Sequence, residues 1–427
     1  MGTESKAAQR LSTLFDNGVY TELDSKSTNS VITAVGTVYG VQCYAFSQNI
    51  EHDDAAMTKQ QAKKILRLYT LAESTGHPVV GVYDSLGAKV SQGLGALSGY
   101  SDLVSYANRL SGVVPQIAVV VGTCAASEAI WALNNDIVIM TKDGELFVNA
   151  PSLTDENVGT VDNAVSNGTA HIFVDSDEDA MNKVRDLITL LPANNLSVAP
   201  ELDFENSSID FTSDPVACLA DANSIVELRK EYGTDTVTAL AKINGSSVGI
   251  VKASGVITKN DCRKIISLVG LCDAFSIPVV TVVDIDHFDN SAKSEFNGIV
   301  KALSALTKTY AEATTVKVTL VSGKCYGASY LVFVGNADMT YALTDAQVAA
   351  MSPDTATIII NKDKVLSEGL DAAVEEYDAT ALTAAKNEFI DDVVDVNQVH
   401  DCISNAINIL SNKRISTLDK KHTVLSF

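Results

Sequence analysis

The 427-residue chain is written twice. Around Pro78 it reads HPVVGVYD and around Pro278 IPVVTVVD, an offset of 200. Upstream, AKKI at 62–65 faces CRKI at 262–265 at the same offset. Downstream, Gly122 matches Gly323, and NDIVIM at 135–140 matches ADMTYA at 337–342, the offset drifting only to 201 and 202. Self-similarity of this kind means one architecture built in tandem, and each copy is near the upper size of a single domain. The polar, irregular stretch PANNLSVAPELDFENSSIDFTSDP at 192–215 reads as the linker. The domains are therefore expected at 1–205 and 206–427.

Within each copy the pattern is α/β. In the first, VYGVQCYAFSQ alternates like a strand pair, and AAMTKQQAKKILRLYTLAEST repeats apolar residues at helical spacing through Ala62, Ile65, Leu66, Tyr69 and Leu71. PVVGVYD reads as a short buried strand, SDLVSYANRLSGV as a helix and QIAVVVG as the next strand. Strands alternating with helices imply parallel pairing through crossovers, and in such sheets ligands collect where strands end and helices begin. VVGTCAASEAIWA at 120–132 lies at one such end, and its twin VSGKCYGASYLVF at 321–333 lies at the other. The first turn of a helix carries N–H groups without intrahelical partners. Minimal side chains there let a ligand oxygen reach them, which makes a backbone oxyanion hole. Close packing of helix against strand selects the same small residues and stays open as the plainer explanation.

Composition removes several classes of function. The chain has 46% hydrophobic and 20% charged residues but no apolar run of the ~18 residues a membrane span needs. Its opening MGTESKAAQRLSTLF carries no hydrophobic leader core, so a cytoplasmic chain is expected. Seven cysteines without a CxxC pair indicate neither a disulfide framework nor a zinc ribbon. A net charge of −22 opposes a phosphate backbone, so no nucleic-acid partner is expected. Asp284, Asp286 and His287 are close in sequence but read as a solvated turn after a strand, and no metal is expected. Cys124 and Cys325 read as small buried hydrophobes.

These stretches, together with LFDNGVYTELD, HPVVGVYDSLGAKVSQG, SGVVPQIAVVVGTCA, LLPANN, RKIISLVGLCDAFSIPVVTVVD, YAEATTVKVTLVSGKCYGASY and ALTDAQVAAMSP, carry a resemblance that covers nearly the whole chain. The sequence resembles the carboxyltransferase subunits of biotin-dependent acyl-CoA carboxylases and decarboxylases. That resemblance implies two tandem crotonase-type spiral domains, with the acyl-CoA thioester on the N-terminal half and biotin on the C-terminal half. The carboxyl group would pass between biotin and a short-chain acyl-CoA, with an enolate at the acyl α-carbon held by backbone donors. By position, the acyl-side pair is Ala126 and Ser127 and the biotin-side pair is Gly327 and Ala328. Leu86, Gly87, Ala88 and Lys89 would meet the acyl-CoA, and His287 and Phe288 the biotin. Lys63, Lys64 and Lys89 read either as solvated surface or as contacts to CoA phosphates.

The resemblance further implies a homo-oligomer, dimer to hexamer, with sites built from the N-terminal half of one subunit and the C-terminal half of another. The sequence has no lysine in the context typical of biotin attachment, so biotin would arrive on a separate biotin carboxyl carrier protein. A biotin carboxylase subunit, or membrane decarboxylase subunits, would complete the system. Several positions depart from the family pattern. Ala126-Ser127 stands where the family usually has two glycines, and a left-handed backbone there would be costly for alanine. Ser85 to Lys89 keeps one glycine of two and has Lys in place of Arg. SQNIEHDDAAMTKQ at 47–60 lacks the family's glycines, and Asp286-His287-Phe288 replaces proline-glycine-phenylalanine. These departures leave a noncatalytic scaffold as an alternative. A biotin-independent acyl-CoA hydrolase or decarboxylase would need a side-chain acid or base in the first half. Glu128 is the carboxylate beside the proposed hole, and it reads as charge compensation at a helix N-terminus.

Overall fold

The computed structural model describes residues 4–154, 157–360, 374, 377–415, 420 and 424. The chain divides into two compact units, Met1–Pro200 with Leu228–Tyr232, and Glu201–Glu227 with Gly233–Phe427.

The first unit holds a seven-stranded sheet. Its strands are β1 (Tyr20–Leu23), β2 (Val31–Val38), β3 (Val41–Gln48), β4 (Val79–Tyr83), β5 (Gln116–Val120), β7 (Ile137–Thr141) and β9 (Ile172–Val174), adjacent in that order. Between β5 and β7 the chain forms β6 (Thr123–Ala125), which pairs in parallel with β8 (Glu145–Phe147) as a separate small sheet. From β3 onward the main sheet is parallel, as the strand-helix alternation implies, but β1 with β2 and β2 with β3 are antiparallel. The stretch read as a strand pair is the turn and second arm of a hairpin. Tyr39 and Gly40 both take positive φ, which suits a two-residue connection between twisted strands. Helices α1 (Lys6–Leu14), α2 (Lys59–Thr75), α3 (Leu94–Leu110), α4 (Ser127–Leu133), α5 (Val161–Ser166) and α6 (Asp177–Leu190) complete the unit.

The second unit repeats this order. Its sheet runs β10 (Val226–Leu228), β11 (Thr236–Ile243), β12 (Ser246–Ile257), β13 (Val279–Phe288), β14 (Lys317–Val321), β16 (Met339–Leu343) and β18 (Asp392–Val394), with β15 (Lys324–Tyr326) and β17 (Gln347–Ala349) as the small parallel pair. Helix α7 (Pro215–Leu219) precedes this sheet, and α8 (Lys259–Ala274), α9 (Ala292–Phe296) and α10 (Ile299–Glu312) supply the crossovers.

The repetition extends to single buried groups. Lys64 on α2 sends its ammonium to the carbonyls of Val31 (2.9 Å) and Thr28 (3.2 Å), and Lys264 on α8 sends its own to Thr236 (2.6 Å) and Gly233 (3.3 Å). Both lysines are buried, and each donates to backbone carbonyls at the entry of a strand. The reading of Lys64 as solvated surface or phosphate contact is therefore replaced. Lys63, one residue earlier on the helix, is exposed.

Candidate functional site

Both small-residue turns sit at a strand end held open by one close approach. In the first unit Asp84 follows β4, and a Cβ placed on Gly122 would lie 2.2 Å from its Oδ1. In the second, a Cβ on Gly323 would lie 2.0 Å from Oδ1 of Asp284. Only glycine lets the chain pass there. Asp84 is anchored by Arg10 of α1, whose Nη1 donates at 2.9 Å while its Nε donates to Asp177 at 2.7 Å. Asp284 accepts the Lys324 N–H at 2.9 Å.

The turn that follows opens with a positive-φ residue in both units. Ala126 has φ 53° and ψ −118°, and Gly327 has φ 50°. The first half thus puts alanine in the positive-φ geometry expected to be costly for it. The N–H groups of these two residues are already engaged, donating to the carbonyls of Phe147 (2.8 Å) and Ala349 (3.1 Å). Among the described residues no acceptor meets the N–H of Ser127, Ala328 or Ala88. Each turn therefore presents its second residue as the open donor, while the first shapes the turn.

The segment from Ser85 to Lys89 is tied to the loop before α2. Leu86 donates its N–H to Asp54 O (3.2 Å), Ser85 Oγ donates to Ala55 O (3.0 Å), and Met57 and Lys89 exchange backbone bonds with Gly87 and Met57. That loop lacks glycine, yet Asp53, Asp54 and Ala55 all take positive φ, at 54°, 55° and 50°. Strain of this kind is held only where surrounding contacts impose it. Leu86 is exposed, and the Lys89 ammonium is paired with Asp53 at 2.8 Å. Val121 N–H to Tyr83 O (3.1 Å) and Ser85 N–H to Thr123 O (2.9 Å) bind the Ser85–Lys89 segment to the Ala126 turn. The first unit thus brings its six expected site positions, Leu86, Gly87, Ala88, Lys89, Ala126 and Ser127, onto two cross-linked loops, with the Leu86 side chain exposed.

The second unit differs after the strand. Asp284, Asp286 and His287 do not form a solvated turn: β13 runs on to Phe288, pairing His287 with Val256 and Phe288 with Ile257 across a bulge. Asp286 ion-pairs with Lys324 at 2.7 Å. A cavity of about 350 Å³ opens beside the turn, lined by Gly327, Tyr330, Val348, Tyr377, Thr383 and Phe389 among others. His287 and Phe288 are not part of its lining. After Ala328 the chain winds one π-helical turn over Tyr330–Val334, closed by Gly335 N–H to Tyr330 O at 2.8 Å.

The sequence reading assigned Glu128 to helix charge compensation, and the structure replaces that role. Its side chain is fully buried, with one oxygen accepting from the Gln48 amide, whose own Oε1 accepts the Asp84 N–H at 2.8 Å. Burial pushes its carboxyl up to about 8, against the lowering pull of Gln48, Ser85 and Tyr100. A carboxyl that keeps its proton at neutral pH compensates no dipole. The signal available in sequence was a glutamate inside the otherwise apolar run CAASEAIWA. Cys124 and Cys325 are buried, and desolvation raises both thiols, Cys325 to about 12, so neither is a thiolate nucleophile.

Residues 9–425 match the family model described as the carboxyl transferase domain, and the chain belongs to that family. It is 31% identical to the methylmalonyl-CoA decarboxylase subunit alpha of Veillonella parvula, over 97% of this chain and 92% of that one. Identity to the mitochondrial propionyl-CoA carboxylase beta chain of Rattus norvegicus is also 31%, over 95% and 82%. The crystal structure of a transcarboxylase 12S hexamer with hydrolysed methylmalonyl-coenzyme A bound superposes with a TM-score of 0.93 at 30% identity, over 99% of this chain and 92% of that one. The duplicated α/β units are the crotonase-type fold of such carboxyltransferases. Among the described residues no helix is long and apolar enough to cross a membrane.

Proposed function

We propose that the protein is the carboxyltransferase subunit of a biotin-dependent acyl-CoA carboxylase or decarboxylase, moving a carboxyl group between carrier-borne biotin and a short-chain acyl-CoA such as methylmalonyl-CoA. The observation that carries this reading is the repeated turn with one open backbone donor, Ser127 in the first unit and Ala328 in the second, in a chain of this family. In the first unit the thioester oxygen meets the N–H groups of Ser127 and Ala88, with Leu86, Gly87 and Lys89 bordering the acyl chain and Ala126 shaping the turn. Charge developing on that oxygen is held by fixed backbone dipoles, the kind of stabilisation worth about 3 kcal/mol per donor.

In the second unit the cavity beside Gly327 has the size and the mixed apolar and hydroxyl lining that a small fused bicyclic ring needs. Biotin bound there would supply the ureido nitrogen that takes or gives the carboxyl group. Ala328 offers its N–H to the ureido oxygen, Gly327 shapes the turn, and His287 and Phe288 border the approach from the end of β13. The working form is a homo-oligomer, dimer to hexamer, served by a biotin carboxyl carrier protein and by either a biotin carboxylase subunit or membrane decarboxylase subunits.

The test is carboxyl transfer from methylmalonyl-CoA to biotin on a carrier protein. Ala328→Val keeps the donor but places branched bulk over it, and transfer is expected to fall by a factor on the order of 100, comparable to losing one donor. Overpacking costs about 1–3 kcal/mol, so the thermal midpoint is read alongside. Unchanged transfer by the folded variant would remove the biotin-side assignment. An assembled wild-type protein that transfers no carboxyl group between any acyl-CoA and carrier would leave the scaffold reading.

A further inference from the structure

Glu128 is a buried ionisable group beside the proposed acyl-side donors that the proposed reaction does not use. Its Oε1 is held by Gln48, and its Oε2 has no hydrogen bond of ordinary geometry; the hydroxyl of Tyr100 on α3, also buried, has none either. The two unsatisfied atoms belong to one neighbourhood, since the Tyr100 hydroxyl and Ser85 Oγ both act on the Glu128 carboxyl. Gln48 closes the end of β3, Asp84 and Ser85 the end of β4, and Glu128 itself follows the open Ser127 donor. Buried polar atoms left unpaired in a native fold call for a functional or solvent partner.

We infer that Glu128 is the positioning residue of the proposed acyl-side site, joining the ends of β3 and β4, helix α3 and the Ser127 turn through its carboxyl group and making thioester binding depend on whether that group carries a charge. This rests on the acyl-side reading above. A neutral carboxyl can donate its proton to Tyr100 Oη or Ser85 Oγ while still accepting from Gln48. An ionised one places a negative charge in low-dielectric surroundings next to the donors meant for the thioester oxygen, and opposes any negative charge arriving there. The titratable groups facing it are Asp84 from β4, already paired with Arg10 of α1, Tyr83 from β4, Tyr100 from α3 and Cys124 from β6. None is a cation that would stabilise the ionised form directly. Burial sets the transition at about 8, so the neutral state is the one present at neutral pH.

Trp131 is the sole tryptophan, buried and three residues along α4, so its emission reports on this neighbourhood. In the full-length protein, a pH titration of that emission is expected to show a one-proton transition near 8, absent in Glu128→Gln and moved upward in Tyr100→Phe, which removes a group that favours the ionised form. The dissociation constant for methylmalonyl-CoA is expected to rise about tenfold from about pH 6.5 to about 9.5 in the wild type, and less than about twofold in Glu128→Gln. Binding that ignores pH, or that weakens equally in Glu128→Gln, overturns the inference and leaves the acyl-side reading standing. Absence of binding to the wild type at about pH 6.5 overturns both. Should Glu128→Gln not fold, Tyr100→Phe decides: its binding curve must shift together with its Trp131 transition, and a fixed curve refutes the coupling.

Discussion

Ala126 and Gly327 occupy the same point of the repeated turn, and exchanging their residue types has a calculable consequence. At φ 53°, ψ −118° alanine sits where its Cβ crowds the backbone, at a cost of about 1–2 kcal/mol. Ala126→Gly removes that strain and loses no buried surface, because the residue is exposed. Glycine's extra freedom in the unfolded chain takes back roughly 0.5–1 kcal/mol, leaving a net gain of about 1 kcal/mol. For a unit of this size that is a rise of about 2–4 °C in the midpoint of thermal unfolding, followed through the emission of buried Trp131. Gly327→Ala should move the opposite way by about 1 kcal/mol, since its Cβ would meet Ala350 O at 3.1 Å as well as the strained φ. The N–H bonds to Phe147 and Ala349 survive either exchange, so the comparison isolates the backbone. A destabilised Ala126→Gly protein together with an unperturbed Gly327→Ala protein would refute the argument that this turn demands glycine geometry.

The same duplication predicts the outcome at Lys317, whose ammonium donates to the carbonyls of Tyr310 and Ala313, both at 2.7 Å, where the first unit has Gln116 donating to Ala107 O at 2.9 Å. Lys317→Ala orphans two buried carbonyls and should cost about 3 kcal/mol, whereas Lys317→Gln should cost about 1 kcal/mol, both read from chemical denaturation. The raised carboxyl of Glu128 makes stability pH-dependent with a definite sign. The folded state holds its proton up to about 8 and an unfolded chain releases it near 4.5, so this contribution is fully present below about pH 4.5 and is lost as pH rises towards 8. The loss is on the order of 5 kcal/mol, and a Glu128→Gln protein whose stability falls over that range as steeply as the wild type would contradict it.

The duplication, the α/β order, the parallel sheets and the two small-residue turns were legible because periodicity and glycine placement are written in the chain itself. The mixed sheet was less so: nothing in 20–38 marks β1 and β2 as antiparallel, since alternation is common to both directions of pairing. Charged residues after a buried strand usually leave the sheet, so 284–288 carries the sequence signature of a turn; here β12 is twelve residues long and keeps His287 and Phe288 paired as β13 extends. The burial of Lys64 and of Glu128 was hidden for a different reason. Each is a charged residue next to a buried apolar one, Ile65 and Ala129, on a helix whose other face is exposed, and only tertiary placement shows that the lysine meets strand-entry carbonyls and the glutamate enters the core. Engagement of the Ala126 and Gly327 N–H groups depended on β8 and β17, twenty or so residues downstream, which no local pattern connects to the turns.

What separates the two units is how each handles charge on an otherwise common backbone. Asp136 and Asp338 occupy matching positions and each accepts the N–H that opens the neighbouring strand, from Gln116 and Lys317, both at 2.8 Å. In the second unit Lys413 reaches Asp338 at 2.7 Å, so that carboxylate is answered by a cation. In the first, burial pushes Asp136 up to about 7, and a single backbone N–H opposes the shift. The turns show the same division. Ser329 is the buried neighbour of the second open donor, and Glu128 is the buried neighbour of the first. Of these two raised carboxyls, Glu128 at about 8 keeps most of its proton at neutral pH, whereas Asp136 at about 7 is close to half ionised there. On the proposed acyl-side reading, the donors at Ser127 and Ala88 meet no charge from Glu128 until the pH passes the range in which it holds its proton, which favours negative charge developing on a thioester oxygen there.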